Sequence, residues 1–497
     1  MRIVIAAAEV APFARVGGLS DVAGALSKEI AERGHGVSVF LPAYSAIDRA
    51  KYGIEPVSGA GPIDVPMGER TERCQLLRGS MPGAANVAVY LIEHEGYFDR
   101  EGIYVDPETG HGYPDEVERY GLFSRAVLEG LLALDIRPDC IHLNDHHTAL
   151  SLAYLREAYA GHPVLSAAGS VFSIHNLGYQ GQFEPAILTK LGLPESLARP
   201  GSPFEFHGLV NNMKIGIELA DYVNTVSERY AEEISSVPEY GLGLEGVLGA
   251  KRDAGRLVGI LNGVDYGVWD PSVDDLIPAR YGPGELAGKH RCKVALLERA
   301  GLPPDSGTPV VGVVSRLADQ KGFDLLKEVG DEIAELGASL VVLGTGQPEY
   351  HEFLSGLAAR FPERVSANLT FDNEFAHWIE AGSDMFLMPS RYEPCGLNQL
   401  YSLRYGSVPI VRETGGLADT VADYDPATDH GTGFVFREYD SRAMLEAIRR
   451  AVDTYADTAV WSRIIERGMA ADFGWAVSAE RYERLYAQAR EAARSRS

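Results

Sequence analysis

Residues 1–42, MRIVIAAAEVAPFARVGGLSDVAGALSKEIAERGHGVSVFLP, decide the fold class. The run from Ile3 to Ala8 is short, apolar and unbroken, as expected of a strand covered on both faces. It gives way to the small-residue turn VGGL. Beyond that turn Val22, Leu26 and Ile30 recur every fourth residue, while Lys28, Glu29, Glu32 and Arg33 take positions that can face water. This spacing predicts an amphipathic helix, Gly34 and Gly36 fit its end, and VSVFLP begins the next strand. Strand, glycine turn, helix and strand in that order predict an α/β protein with mainly parallel sheets.

The same alternation continues along the chain. Strands are predicted over 86–92, 140–143, 170–175 and 221–227, with helical stretches such as EVERYGLFSRAVLEGLLAL between them. After residue 255 the pattern restarts with RLVGILNG, TPVVGVVSRL, a helix near 322–334, ASLVVLGTG, VSANLTF, DMFLMPS, VPIVRE and TGFVF. Length divided by about 150 residues per domain suggests three domains, but large α/β domains make two equally reasonable. The glycine-rich, charged stretch 241–258 puts the boundary near 255. From 441 onward the chain reads as helices, ending in SAERYERLYAQAREAARSRS. Local packing and a crossing back to the first half fit that segment equally.

Composition narrows the function. The chain has 497 residues, 45 Lys and Arg against 70 Asp and Glu, and a formal charge of -25. That balance argues against a nonspecific nucleic-acid binder, which needs a basic face. It leaves room for an anionic small substrate in a locally positive site. No apolar run approaches the roughly 18–20 residues that cross a membrane, and the start lacks a signal-peptide layout. Cys74, Cys140, Cys292 and Cys395 are too scattered for a disulfide framework or a zinc pattern. A cytoplasmic protein is expected. Glycine is abundant, 54 residues, in clusters where sharp turns would follow strands. Parallel sheets bind ligands beyond the carboxyl ends of their strands, so those clusters are the places to search.

Four constellations stand there. In EVAPFARVGGLSDV, Gly17 and Gly18 allow a tight turn into a helix start, with Arg15 beside it; an anion turn and plain turn chemistry both explain it. HLNDHHTAL places His142, Asp145, His146 and His147 at a strand end. Adjacent His146 and His147 should point apart at a helix start, which argues against metal, and Asp145 suits a helix cap or sugar hydroxyls. His175 and Asn176 in IHNLGYQG form a second polar strand end. In VVSRLADQKGFDLL, Arg316 and Lys321 are spaced to clamp a diphosphate. In SRYEPCGLNQLYSLRYGSVPIVRETGGLADTV, Glu393 stands at a helix entrance expected near Gly396, and Thr414, Gly415 and Gly416 form a further small-residue loop. Cys395 has no ordered histidine partner in the sequence, so a small residue beside a ligand suits it better than a nucleophile.

Together with YFDR, MKIGIELADYVNTVSERYAEEI and LNGVDYGVWDP, these motifs resemble the bacterial glycogen synthases and plant starch synthases over nearly the whole chain and in family order. The resemblance implies the GT-B fold, two Rossmann-like domains facing a deep cleft. It implies transfer of glucose from ADP-glucose to the nonreducing end of an α-1,4-glucan such as glycogen, with retention at the anomeric carbon. By motif, Arg316 and Lys321 are implied to neutralise the diphosphate and Glu393 to hold the donor glucose. His175 is implied at the sugar site, with Asp145, Glu9, Asn176 and Asn262 in support. Gly17, Gly18 and Arg15 are implied in the first-domain loop, and Thr414, Gly415 and Gly416 in the second-domain phosphate loop. Tyr97, Cys395, Gly396 and Leu397 are lesser pocket candidates.

Two positions depart from the family pattern: Arg15 replaces the Lys of K-x-G-G, and Asp145-His146-His147 stands where D-W-H is common. The domains expected are 1–255 for acceptor and catalysis, 256–470 for the nucleotide sugar, and 471–497 as a helix packing back on the first. No metal or cofactor is expected, because the leaving group is already a nucleotide diphosphate. The competing readings are a retaining transferase using UDP-glucose or another nucleotide sugar, and a catalytically weak glucan-binding or regulatory protein.

Overall fold

Two sheets organise the chain, and each is parallel where it carries the motifs. In the computed structural model, which describes Met1–Arg496, the first is a 10-stranded sheet. From one edge it runs Leu257–Gly259, Tyr222–Thr225, Gly169–Ile174, Cys140–Asn144, Arg2–Ala6, Gly36–Pro42 and Ala84–Glu93, all paired in parallel. Arg70–Met81 then joins antiparallel to Ala84–Glu93, and Glu55–Pro56 and Ile63–Met67 pair antiparallel to it. The second sheet has six strands, Val365–Asn368, Ser339–Leu343, Val310–Val314, Met385–Met388, Val408–Arg412 and Phe434–Phe436, all parallel. Cys140–Asn144, Gly169–Ile174 and Ser339–Leu343 are buried along their whole length, the consequence of helices on both faces.

Strand order locates the ligand-binding edge of each sheet. From Arg2–Ala6 the chain moves first to Gly36–Pro42 on one side and later to Cys140–Asn144 on the other. From Val310–Val314 it moves to Ser339–Leu343 on one side and later to Met385–Met388 on the other. Order therefore reverses beside Arg2–Ala6 and beside Val310–Val314, and loops leaving the carboxyl ends of neighbouring strands diverge there to leave a crevice. Glu9 and Asp145 follow the strands at the first reversal; Arg316, Lys321 and Glu393 follow those at the second.

The chain divides into two units: Met1–Val226, Ala231–Gly263 and Trp475 to the C-terminus form one, and Ser227–Tyr230 and Val264–Gly474 the other. Apart from the short excursion at Ser227–Tyr230, the boundary lies at 263/264 instead of near 255, because Leu257–Gly259 pairs with Tyr222–Thr225 as the edge of the first sheet. The second lies at 474/475 instead of 470, since Gly474 bridges to Val264. Ser497, the last residue of the expected terminal segment, lies outside the described residues.

The final helix, Trp475–Arg494, belongs to the first unit. Its backbone approaches Gly169 so closely that a Cβ there would lie 2.4 Å from the carbonyl carbon of Ala489, which requires glycine. Fully buried Tyr482 and Tyr486 dock it to a polar chain in the sheet. His142 Nδ1 meets the Tyr486 hydroxyl at 2.9 Å, His142 Nε2 meets Ser173 Oγ at 2.5 Å, and Asn224 Nδ2 donates to the Tyr482 hydroxyl at 3.1 Å. His142 is therefore a docking residue inside a strand, not a member of the strand-end cluster.

Burial pushes the His142 pKa down to about 3. The unfolded chain takes up a proton near pH 6.5 that the folded one refuses, so this residue lowers stability as pH falls from about 6.5 toward 4. His142→Gln should remove about 3 kcal/mol of that pH dependence. Denaturant unfolding across the window, wild type against variant, checks it; parallel curves would contradict it.

Candidate active site

In the second unit, the strand Val310–Val314 ends one residue before the Ser315-Arg316 step, and a single turn at Asp319–Lys321 brings Lys321 round. Gly322 follows with φ 78°, and a Cβ there would lie 2.1 Å from the Pro389 carbonyl oxygen, so only glycine lets the two strand ends approach. That approach joins Lys321 to Glu393. Lys321 Nζ donates to Glu393 Oε2 at 2.5 Å, and Ser390 Oγ donates to the same oxygen at 2.9 Å. Glu393 is buried and Lys321 mostly so. The guanidinium of Arg316 is exposed, touches Gln320 Oε1 only at 3.4 Å, and faces no carboxylate among the described residues. An acidic chain thus keeps an uncompensated cation beside a buried ion pair.

The segment after Glu393 is shaped by close backbone approach. Gly396 has φ 69°, and its carbonyl and that of Cys395 accept from Gln399 Nε2. The helix begins only at Asn398, with Leu397 before it. The helix expected near Gly396 thus starts two residues later, and Glu393 has in addition the Lys321 ammonium as a direct partner. A Cβ on Gly415 would lie 1.9 Å from the Glu393 carbonyl oxygen, and one on Gly416 2.0 Å from that of Cys395. The amide of Gly416 donates to the Glu393 carbonyl at 3.1 Å. These glycines press the start of the short helix Gly415–Thr420, which follows buried Thr414, onto the Glu393 segment, which explains their identity before any phosphate is considered.

In the first unit the anion of the glycine turn comes from the chain itself. Buried Glu9 accepts from the amides of Val16 at 2.6 Å and Gly17 at 2.9 Å, and from the Tyr104 hydroxyl at 3.1 Å. Burial still raises its pKa. Gly18 opens the helix Gly18–Glu32, and exposed Arg15 pairs with Asp21 at 3.2 Å. On the neighbouring strand end, Asp145 adopts φ 55° and turns its carboxylate to the amide of His175 at 2.8 Å, with the Asn176 amide as a second donor. It is not a helix cap: the following helix starts at Leu150 without a side-chain cap. Burial raises the Asp145 pKa to about 7 and lowers that of His175 to about 4.

The tautomer of His175 follows from its neighbour. Asn144 Nδ2 donates to the Ala6 carbonyl at 3.0 Å, so its Oδ1 is the atom facing His175 Nε2 at 2.9 Å. Nε2 therefore carries the hydrogen, and Nδ1 keeps a lone pair able to accept from a hydroxyl.

Two family descriptions match the chain, a starch synthase catalytic domain over residues 2–250 and glycosyl transferases group 1 over residues 296–466. A glycogen synthase of Koribacter versatilis is 46% identical over 491 residues, covering 99% of each chain. One from Thermotoga maritima is 42% identical over 98% of this chain and 99% of its own. The chain belongs to the glycogen and starch synthase family.

The catalytic domain of starch synthase IV from Arabidopsis thaliana, solved bound to ADP and acarbose, superposes with a TM-score of 0.89 at 33% identity, over 99% of both chains. A sucrose-phosphate synthase from Thermosynechococcus elongatus shares the fold alone, with a TM-score of 0.59 at 18% identity over 98% of each chain. The protein is thus a glycogen and starch synthase family glucosyltransferase with the GT-B fold.

Within this family member the other expected residues have varied surroundings. Asn176 Oδ1 accepts from the Gly178 amide and so holds its own turn. Asn262 is buried with Oδ1 lacking a partner, a position suited to a donor from outside the chain. Cys395 is buried. Tyr97 stacks on His94 and lies under Arg100. Tyr104, Asn144 and Ser390 escaped the sequence reading. Asn144 directly precedes Asp145 and could have been found as a polar strand end, whereas nothing in the loop around Tyr104 marks it. The expectation that His146 and His147 point apart is overturned: their rings lie 3.7 Å apart, tilted by 33°. With Glu116 they form a group able to hold a metal ion. No helix among the described residues is long and apolar enough to cross a membrane.

Proposed function

We propose that this glucosyltransferase uses ADP-glucose as donor and extends the nonreducing end of an α-1,4-glucan with retention of anomeric configuration. The observation that carries this reading is the buried Lys321–Glu393 pair beside exposed Arg316 at the second sheet's order reversal. A diphosphate entering there offers Lys321 a second anion. Lys321 and Arg316 then neutralise the charge that grows on the leaving phosphate as the glycosidic bond breaks. Glu393, its share of the ammonium reduced, accepts hydrogen bonds from donor glucose hydroxyls. The second unit takes the nucleotide sugar; in the first unit Glu9, Asp145 and His175 are the groups suited to sugar hydroxyls. His175 accepts a hydroxyl hydrogen at Nδ1.

The acceptor 4-hydroxyl attacks from the face the diphosphate leaves, and a diphosphate oxygen takes its proton. This accounts for retention without a covalent glucosyl-enzyme, and needs no resident cofactor because the leaving group is already good. The ADP in the Arabidopsis relative supports the choice of base. A cytoplasmic location belongs to the same reading, with four free, buried cysteines in keeping with a reducing compartment.

Parallel turnover assays with ADP-glucose and UDP-glucose on one glycogen acceptor test it. Higher kcat/KM with ADP-glucose, with ADP release matching glucose incorporated, is expected. Preference for UDP-glucose would overturn the donor, and glycogen binding without ADP release would return the weak glucan-binding reading.

A further inference from the structure

The geometry points to a transition-metal site, of the Zn2+ class, built by Glu116, His146 and His147 in the first unit. Each residue offers one ligand atom, and the three atoms lie within 4.8 Å of one another. His147 is 8% exposed, its Nδ1 is buried without a hydrogen-bond partner, and its Nε2 stands 4.0 Å from Glu116 Oε1. That last distance is too long for a hydrogen bond. A buried imidazole whose Nδ1 has no partner is an unfavourable arrangement that packing alone does not explain. A cation accepting the lone pair of one ring nitrogen, with the hydrogen carried on the other, gives the ring a partner it lacks.

The surroundings hold both rings in place. Tyr104 and Tyr120 enclose His147, with ring centroids 5.0 Å and 4.5 Å away. Gly181 leaves room for His146, since a Cβ there would lie 2.5 Å from Nδ1. Glu116 is in the first turn of the helix Glu116–Ala133, and its side chain is 39% exposed. It is the ligand free to move inward, as it must: bonds of about 2.0–2.2 Å to zinc require ligand atoms closer together than this cluster now has them.

Two imidazoles and one carboxylate select a borderline transition ion over Mg2+ or Ca2+, which take oxygen ligands. Three protein ligands leave a coordination position for water. The ion would clamp the start of that helix to the turn that carries Asp145, the carboxylate holding the His175 amide. A metal here would therefore tighten the support of the sugar-side groups without touching the reacting atoms.

Full-length protein treated with a chelator and titrated with Co2+ tests the assignment. One equivalent is expected, with the strong visible absorption of low-coordinate Co2+, displaced by Zn2+, and Zn2+ should raise Tm. Glu116→Gln and His146→Gln should each weaken binding by about tenfold or more, since loss of even an outer partner of a ligand costs that much. Glu116→Gln keeps the shape of a half-exposed side chain, so its metal-free Tm should match wild type and its binding defect can be read directly. Absence of a bound equivalent, a six-coordinate spectrum, or an equivalent that survives Glu116→Gln would each overturn the site.

Discussion

Lys321→Ala is expected to lower kcat/KM by roughly 30- to 900-fold, equivalent to about 2–4 kcal/mol of transition-state stabilisation. Lys321 does two things at once. It offsets the buried carboxylate of Glu393 at 2.5 Å, and it supplies charge where the diphosphate departs. Its removal leaves Glu393 with the Ser390 hydroxyl on its Oε2 and an unbalanced negative charge facing an anionic donor. The two effects separate in Lys321→Ala/Glu393→Gln. Neutralising the orphaned carboxylate should recover much of any lost stability, yet turnover should stay low because diphosphate neutralisation and the carboxylate that holds the donor glucose are both missing. Steady-state kinetics beside denaturant unfolding measure both. A near-normal kcat/KM in Lys321→Ala would remove this residue from the mechanism.

Gly415→Ala should be nearly as damaging, by a different route. The residue holds φ 44°, and a Cβ would fall 1.9 Å from the Glu393 carbonyl oxygen, a contact with backbone that no rotamer change relieves. The loss of stability should be about 2–4 kcal/mol. Activity should fall by on the order of 100-fold if the Glu393 segment shifts by about an ångström. Gly255→Ala is the control: its φ is 67°, but nothing lies within 4 Å of the added Cβ. It should cost only the left-handed backbone, about 1–2 kcal/mol, and leave kcat/KM alone. Equal effects of the two substitutions would show that close approach to Glu393 does not matter.

The parallel strands could be read from sequence because burial on both faces writes itself as unbroken apolar runs. SLVVL is apolar after its first residue, and CIHLN and GSVFSI keep apolar residues between polar ones that are themselves buried. The antiparallel strand Arg70–Met81 was missed for the opposite reason. Its sequence RTERCQLLRGSM is charged over its first half, and its buried side chains Cys74, Leu76, Leu77 and Met81 do not follow one strict alternation, the register shifting between Ser80 and Met81. The last helix was readable as a helix but not by destination. Tyr482 and Tyr486 could bury against any apolar face; His142, Ser173 and Asn224 give their hydroxyls a specific one.

The candidate site divides in the same way. Strand-end position could be read for Arg316, Lys321, Glu393, Asp145 and His175, since an α/β sheet leaves few other places for convergent polar groups. Pairing was beyond reach. Lys321 and Glu393 are 72 residues apart, and the glycine turn at Gly17 proved to bind Glu9, eight residues upstream, where an external anion was equally reasonable. His146 and His147 seemed to diverge until the turn at Asp145 set their rings side by side. Local sequence specifies periodicity, turn chemistry and which side chains lie at a strand's end. Which charge meets which, and which amide is already taken, depends on strands brought together from distant parts of the chain.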